Sequence, residues 1–192
     1  MGLDLNLETD RLQLRPITER DIAAYEKHFI DYEVIRHLSS KIPWPYPEGG
    51  VRDWVCGHVL PGQGKDRWNW GIYLKNNPDE MIGGVELWRP GTPENRGFWL
   101  GRHHWGNGYM TEAVVAVMDC AFFQLEFESL VFSNAKGNDQ SARIKEKTGA
   151  RLLRTQPNEF VDSCYTESEV WELHKHDWQH FRTTMKAGTP KT

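Results

Sequence analysis

Three features are missing from this 192-residue chain, and each absence excludes a class of protein. No apolar run approaches the roughly 20 residues that a membrane span needs, so we expect no membrane segment. The formal net charge is −4, so no overall basic field favours nucleic acid. The first residues are acidic and mixed in character, unlike a signal peptide. The sequence therefore predicts a cytoplasmic protein whose partners are neither membranes nor nucleic acids.

Cysteine is scarce, and its spacing offers no site for a metal or a disulfide. The three cysteines are odd in number, far apart and without a Cys-x-x-Cys pair: Cys56, Cys120 and Cys164. We expect them to be reduced packing residues. His174, His176 and His180 lie close together in the sequence and could suggest a metal site, but no cysteine or paired acid completes a ligand set. We therefore predict no bound metal.

The most informative stretch that is present covers residues 97–113. Its first part, Phe98 to Leu100, is typical of a short buried strand. Gly106 and Gly108 then precede a helix whose apolar face begins at Met110. A strand that passes through a glycine turn into a helix leaves several backbone N–H groups unpaired at the positive end of the helix dipole. Such a turn predicts an anion site that suits a pyrophosphate, because glycine lets the anion approach the backbone.

Two common nucleotide-binding motifs do not fit this turn. The dinucleotide fingerprint needs a third glycine three residues after Gly108, where Thr111 stands. A P-loop needs Gly-Lys-Ser/Thr, but Tyr109 follows Gly108. The anion predicted here therefore belongs to another class of ligand.

Periodicity and turn residues predict one domain over residues 1–185, with a flexible tail over 186–192. The predicted order is β-α-α-β-β-β-α-β-α-β-β. Strands are expected at 11–15, 68–74, 81–88, 97–102, 129–133, 151–154 and 169–174. Three consecutive strands favour an antiparallel meander, and the strand-helix-strand step from 97 to 133 favours one parallel pair. The fold class is therefore α+β with a mixed sheet.

Four segments in this order resemble the GNAT N-acetyltransferases, with the closest likeness to the RimJ/RimL-like branch. They are Thr9-Asp-Arg-Leu-x-Leu-Arg-Pro16, Trp105-Gly-x-Gly-Tyr-x-Thr-Glu-Ala113, Asn138-x-x-Ser-x-x-x-x-Glu-Lys-x-Gly149 and Val170-Trp-Glu-Leu173. The resemblance implies a mostly antiparallel sheet, flanked by helices, in which one parallel strand pair splays apart. It also implies acetyl-CoA as co-substrate, with its pantetheine arm lying in that opening.

The resemblance carries over a set of cofactor contacts. The arm is expected to face Trp99, Leu100, Gly101 and Arg102. The pyrophosphate is expected at the loop and first helical turn, formed by Trp105, Gly106, Asn107, Gly108, Tyr109, Met110 and Thr111. Asn138 and Ser141 are expected to reach the arm from the far side. Asn134 is a further candidate, and a cap at the strand end is its alternative role.

Acetyl transfer to an amine needs an oxyanion donor, an acid for the departing thiolate and a base. A backbone N–H at Leu100 or Gly101 would serve the oxyanion. Many GNAT proteins place a tyrosine acid seven residues after the capping asparagine, but this chain has Lys145 there. Ser141 is the acid that the RimJ/RimL-like pattern implies, and a hydroxyl that helps to cap the helix is its other interpretation.

Two carboxylates are candidates for the base. Glu159 follows Gly149 by ten residues, as in the branch, and its alternative interpretation is a solvated loop acid. Glu86 lies in the middle of a predicted strand and is the second candidate. Glu112 is expected to support the loop from the first helical turn. A chain of water molecules could replace any single base.

The acceptor is expected to be a primary amine, either a protein N-terminus or a small molecule. Trp44, between two prolines, and Glu159 are predicted to line its site. An alternative from another class is a non-catalytic sensor of acyl-CoA, or a protein-interaction module, on the same fold. The pattern is compatible with a monomer or a homodimer.

Overall fold

The computed structural model describes residues 5–89 and 94–187, and its strands form two sheets. The first sheet has the order β1-β2-β3-β4-β5, and all of its neighbours are antiparallel. The second has the order β6-β8-β7 and is also antiparallel. The strands are β1 (Leu7–Glu8), β2 (Leu12–Pro16), β3 (Arg67–Leu74), β4 (Asn77–Trp88), β5 (Arg96–Leu100), β6 (Ser129–Ala135), β7 (Arg151–Pro157) and β8 (Glu167–His174).

Helices pack on both sides of these sheets. They are α1 (Ile22–Phe29), α2 (Tyr32–Ile35), α3 (Gly50–Trp54), α4 (Leu60–Gly62), α5 (Tyr109–Phe123), α6 (Asp139–Lys147) and α7 (Lys175–Ala187). A π-helical turn over Val55–Val59 joins α3 to α4. None of the helices in the described part of the chain is long and apolar enough to span a membrane.

The two sheets meet at one point and then separate. The Asn95 N–H donates to the Val131 carbonyl at 2.7 Å, and the Val131 N–H donates to Asn95 Oδ1 at 3.2 Å. Beyond this contact β5 and β6 belong to different sheets, and α5 is the crossover between them. The predicted α+β class, with a mostly antiparallel sheet and a splayed strand pair, is confirmed.

Two apolar clusters lie on opposite faces of the large sheet. One contains α5 and the second sheet, with Trp70, Val114 and Leu130 at its centre. The other lies under α1 and α3 and includes Tyr25 and Met81. Successive side chains of β5 point to opposite faces of the sheet, so they point alternately toward the two clusters. This alternation decides which side chains meet on each side of the splayed pair.

Local signals predicted several element ends correctly. Asn138 Oδ1 accepts the Ser141 N–H at 3.2 Å and caps α6, as expected. Gly149 follows that helix with a φ of +80°, the left-handed conformation that glycine adopts after a helix. The Asp21 carboxylate accepts the Thr18 N–H at 2.8 Å and caps the turn before α1.

Other predictions need correction. β4 begins at Asn77, four residues before the predicted strand at 81–88, and the turn that precedes it lies at residues 75–76. Helix α7 was not predicted, although Trp178 is fully buried and its Nε1 donates to Asp119 Oδ1 at 2.9 Å. Its last residue is Ala187, and residues 188–192 of the predicted tail lie outside the described residues. Cys164 is exposed and packs in no core.

Candidate active site

A groove of about 1240 Å³ opens where β5 and β6 separate. Its walls come from the strand ends, from the loop and first turn of α5, and from the first half of α6. This volume exceeds the roughly 300–1000 Å³ of ordinary small-molecule pockets. The groove can therefore hold a large, elongated ligand together with a second molecule.

One end of the groove is formed by the predicted anion loop. Gly106 and Gly108 have φ values of +78° and +77°, which β-carbon-bearing residues rarely adopt. The Glu112 N–H donates to the Gly108 carbonyl at 3.1 Å, so the N–H groups of residues 109–111 precede the first helical hydrogen bond. Residues 109–111 line the groove. Unpaired donors and the helix dipole therefore coincide at this end.

The N-terminal segment clamps this loop through Glu112. The Glu112 carboxylate accepts from the Thr9 hydroxyl at 2.5 Å and from the Arg11 N–H at 2.9 Å, and Arg11 Nη2 lies 2.6 Å from it. Arg11 also donates to the Asn107 carbonyl at 3.0 Å. Burial acts to raise the pKa of Glu112, but the bonds from Thr9 and Arg11 hold it below its ordinary value. The expected support of the loop by Glu112 thus extends to the Thr9–Leu12 motif.

Three of the predicted cofactor residues lie outside the groove lining. Asn107 turns its amide to the carbonyls of His104 and Trp105, at 3.2 and 3.1 Å, and so holds the loop closed. Arg102 is exposed on a 3-10 turn. A β-carbon on Gly101 would meet His28 at 2.9 Å, on the opposite side of the strand.

The backbone of β5 presents one unpaired edge to the groove. The Gly101 N–H donates to the Ile82 carbonyl on β4 at 2.8 Å, so this donor is already occupied. Because antiparallel N–H groups alternate in direction, the Leu100 N–H faces the other way, toward β6. Trp105 Nε1 donates to the Leu100 carbonyl at 2.7 Å and fixes the end of the strand. Of the two oxyanion donors predicted, the geometry leaves Leu100.

Helix α6 supplies the opposite wall, where Asn138 and Ser141 line the groove. Ser141 is almost fully buried, and its Oγ accepts a hydrogen bond from Lys145 Nζ at 2.7 Å. Its own hydroxyl hydrogen is therefore available to a ligand. Asn134 also lines the groove, and its Nδ2 donates to Glu169 at 2.9 Å.

The two candidate bases lie in different surroundings. Glu86 lines the groove on the α1 face of β4, and Arg67 Nη1 is 3.4 Å from its carboxylate. Burial raises the pKa of Glu86, and Arg67 only partly opposes this. The side chain of Glu159 is exposed and lies outside the groove lining, with Ser40 Oγ 3.4 Å from its carboxylate. The solvated-acid interpretation of Glu159 fits this position.

Trp44 is 41% exposed, as its proline-flanked loop predicted. Its ring packs against Tyr32, with centroids 5.4 Å apart, and lies outside the groove lining. Its neighbours Lys41 and Ile42 do line the mouth. Trp44 therefore lies beside the opening of the groove and does not line its wall.

The site also contains a charge that the sequence reasoning missed. Arg96, the first residue of β5, is buried at 4% exposure, and burial lowers its pKa to about 9. Its guanidinium lies 3.6 Å from the centroid of the Phe132 ring. Lys145, noted in the sequence only as a departure from tyrosine, is buried beside it. No local pattern in the sequence signals the burial of Arg96.

Residues 11–151 match the acetyltransferase (GNAT) domain family. The chain belongs to this family. "Uncharacterized protein YkkB" of Bacillus subtilis (strain 168) is 29% identical over 163 residues, which cover 81% of this chain and 90% of that protein. An acetyltransferase of Agrobacterium tumefaciens str. C58 is 26% identical, with a TM-score of 0.68 and coverage of 88% and 94%. RimL, a ribosomal L7/L12 acetyltransferase solved with coenzyme A, is 18% identical, with a TM-score of 0.72 and coverage of 86% and 95%.

Family membership makes this GNAT chain an acetyltransferase that uses acetyl-CoA. The likeness to RimL, at 18% identity, concerns the fold alone. Within the described residues, no group of three or more His, Cys, Asp or Glu side chains could hold a metal ion.

Proposed function

We propose that the protein transfers the acetyl group of acetyl-CoA to a primary amine by direct attack, with both substrates bound at once. The observation that carries this proposal is the course of the groove. It begins at the unpaired N–H groups of α5, follows the free edge of β5 and passes Ser141. A pyrophosphate, a pantetheine arm and a thioester occur in that order along acetyl-CoA.

The cofactor would bind with its pyrophosphate at residues 106–111 and its arm against β5. Asn134 and Asn138, which line the groove from the other side, would then contact the amide groups of the arm. Gly101, Arg102 and Asn107 would act indirectly, by shaping the loop. This division follows from where their side chains and N–H groups are directed.

Glu86 is the better candidate for the base. An amine at neutral pH is mostly protonated, with a pKa near 8 for an N-terminus and near 10.4 for lysine. A carboxylate with a raised pKa accepts a proton from such an amine more readily than an ordinary one does. Glu86 has this property and lines the groove, whereas Glu159 is exposed. Glu159 would contribute at most to the outer acceptor site.

The acetyl carbonyl would accept the Leu100 N–H as its oxygen becomes negative. The amine nitrogen bonds to the carbonyl carbon, the carbon–sulfur bond breaks, and the thiolate leaves. Ser141 would then give its hydrogen to the thiolate, because its oxygen already accepts a hydrogen bond from Lys145. The capping role of Asn138 places Ser141 for this and does not compete with it.

The acceptor would enter from the α1 face, where Glu86 and Trp99 lie. A protein N-terminus or a small amine fits the requirement for one primary amine. The likeness of the sequence motifs to the RimJ/RimL-like branch favours an N-terminal peptide. Such a chain, extended past Ile42, would reach Trp44.

Gly108→Val tests the cofactor part of the proposal. A branched side chain at the N-terminus of α5 blocks approach to its N–H groups, so we expect calorimetry to show no coenzyme A binding at millimolar concentration. The wild type should bind in the micromolar range, about −8 kcal/mol. Gly64→Val is a matched control, because Gly64 has the same φ of +77° and open space around it, away from the groove.

A thiol-release assay with a panel of amines tests the reaction and identifies the acceptor class. Free coenzyme A should appear only when acetyl-CoA and a suitable amine are both present. Unchanged affinity in folded Gly108→Val would place the pyrophosphate elsewhere. A wild type that binds coenzyme A but releases no thiol with any amine or peptide would favour a non-catalytic sensor instead.

A further inference from the structure

Two buried basic side chains, Arg96 and Lys145, line the groove without a salt bridge to a carboxylate. Burial, and next the charge of Arg96, hold the pKa of Lys145 well below its ordinary value. Arg96 and Lys145 are 4% and 1% exposed. Arg96 Nε and Nη2 are buried and have no hydrogen-bond partner, while its Nη1 contacts only the Met118 sulfur, at 3.6 Å. Lys145 Nζ bonds to Ser141 alone. Within the described part of the chain, neither side chain forms a salt bridge, whereas a buried charge such as that of Arg96 is ordinarily paired.

The nearby carboxylates are directed to other partners. Glu94 accepts the Ser133 hydroxyl at 2.8 Å, and Glu169 accepts the Asn134 amide at 2.9 Å. The two basic side chains instead lie over the same aromatic rings. Arg96 is 3.6 Å and Lys145 5.9 Å from the Phe132 centroid, and both are within 6 Å of Phe98. Both rings line the groove together with the two basic side chains.

The position of this cluster indicates which substrate would reach it. Arg96 contacts Met118 of α5, so it lies on the α5 face of the splayed strands, where the cofactor loop lies. Glu86 and Trp99 lie on the opposite face, with α1. An anion at Arg96 and Lys145 would therefore arrive with the coenzyme A arm, and the acceptor would approach from the other side. The thioester is proposed to lie beside Ser141, and Lys145 lies one turn further along α6.

We propose that Arg96 and Lys145 form an acyl subsite that binds the terminal carboxylate of a short dicarboxylic acyl chain carried on coenzyme A, such as succinyl. This inference rests on the proposed function and widens its range of donors. A succinyl chain places its carboxylate carbon about 4 Å from the thioester carbon. With the thioester beside Ser141, the carboxylate would lie near Lys145, whose Nζ is 2.7 Å from Ser141 Oγ. The reaction is the same acyl transfer: the amine–carbon bond forms, the carbon–sulfur bond breaks, and the distal carboxylate is unchanged.

The test compares donors in the full chain with one amine that the panel shows to be active. Succinyl-CoA and butyryl-CoA are matched, because butyryl has a methyl where succinyl has the carboxylate. We expect kcat/KM for succinyl-CoA to exceed that for butyryl-CoA by about tenfold or more, the scale of a hydrogen bond to a charged group. Arg96→Met should bring this ratio close to one, and Lys145→Met should reduce it independently.

The ratio is taken within each variant, so changes common to both donors cancel. Arg20→Met, which removes an exposed arginine outside the groove, should keep the wild-type ratio. Calorimetric affinities for the two donors give the same comparison without turnover. Removal of the buried, unpaired charge of Arg96 favours folding, so Arg96→Met should melt at or above the wild-type temperature.

If the wild type uses succinyl-CoA no better than butyryl-CoA, as judged by kcat/KM, the proposed subsite is wrong. It is also wrong if the preference for succinyl-CoA is unchanged in Arg96→Met. An Arg96-dependent preference for acceptors that carry a carboxylate, tested with an amino acid and its amide, would assign the two basic side chains to the acceptor and also overturn it. In either case coenzyme A binding and acetyl transfer would persist. Loss of coenzyme A binding in the wild type would instead refute the proposed function.

Discussion

Glu86→Gln should lower kcat by about 10²-fold or more, the scale of general-base assistance. Glu86 lies between buried Val85 and Leu87 on β4, and only Arg67 offsets the burial of its carboxylate. Its raised pKa makes it a stronger base than a solvated glutamate. Below that pKa, kcat/KM of the wild type should fall about tenfold for each pH unit, because only the ionised form accepts a proton.

The assay is thiol release across pH 5–9 with one amine. Deprotonation of the amine also raises the rate with pH, but this contribution is the same in wild type and variant. The additional fall in kcat/KM on the acidic limb of the pH profile, which comes from protonation of Glu86, should therefore be absent in Glu86→Gln. Arg67→Met should move that limb to higher pH, since the charge that lowers the pKa of Glu86 is then lost. Glu159→Gln is the matched control and should change kcat less than about twofold, because its side chain is solvated.

The same burial makes a prediction for stability. A carboxyl whose pKa is raised on folding contributes stability below its unfolded pKa and loses it as pH rises through the folded pKa. Above its folded pKa the wild type therefore bears an ionised, partly desolvated Glu86, and in that pH range Glu86→Gln should melt at a higher temperature. If Glu86→Gln retains full turnover and an unchanged pH profile, Glu86 is not the base. A large loss of kcat in Glu159→Gln would then make Glu159 the better candidate for the base.

Three further predictions concern the walls of the groove. Ser141→Ala should lower kcat by about 10²-fold with a smaller change in coenzyme A affinity, and equal losses in both would assign it a structural role. Glu112→Gln should weaken coenzyme A binding and lower the melting temperature at pH 7. The folded pKa of Glu112 is depressed, so the difference in melting temperature between wild type and variant should vanish as pH falls through that pKa. Trp44→Ala should raise KM for a peptide acceptor while costing well below the roughly 3–5 kcal/mol of a truncated core tryptophan. A stability loss of that full size would place Trp44 in the core.

Local chemistry made much of the fold readable from the sequence. The caps at Thr18 and Asn138 and the glycine at 149 are short-range signals, since the groups that bond lie within one helical turn. The glycine loop is local in the same way: a strand, two positive-φ glycines and a helix start define a set of free N–H groups. Helix α7 begins directly after β8, outside the elements that the sequence predicted.

The choice between chemically similar residues needed the tertiary structure. Glu86 and Glu159 are the same side chain in sequence, and burial alone makes one a stronger base. Leu100 and Gly101 are adjacent, and only the ladder with β4 decides which N–H remains free. Arg96 looks like an ordinary surface arginine until β5 and β6 separate beneath α6 and leave it buried with Lys145. Solvent exposure and long-range pairing depend on distant segments of the chain, so no local pattern encodes them.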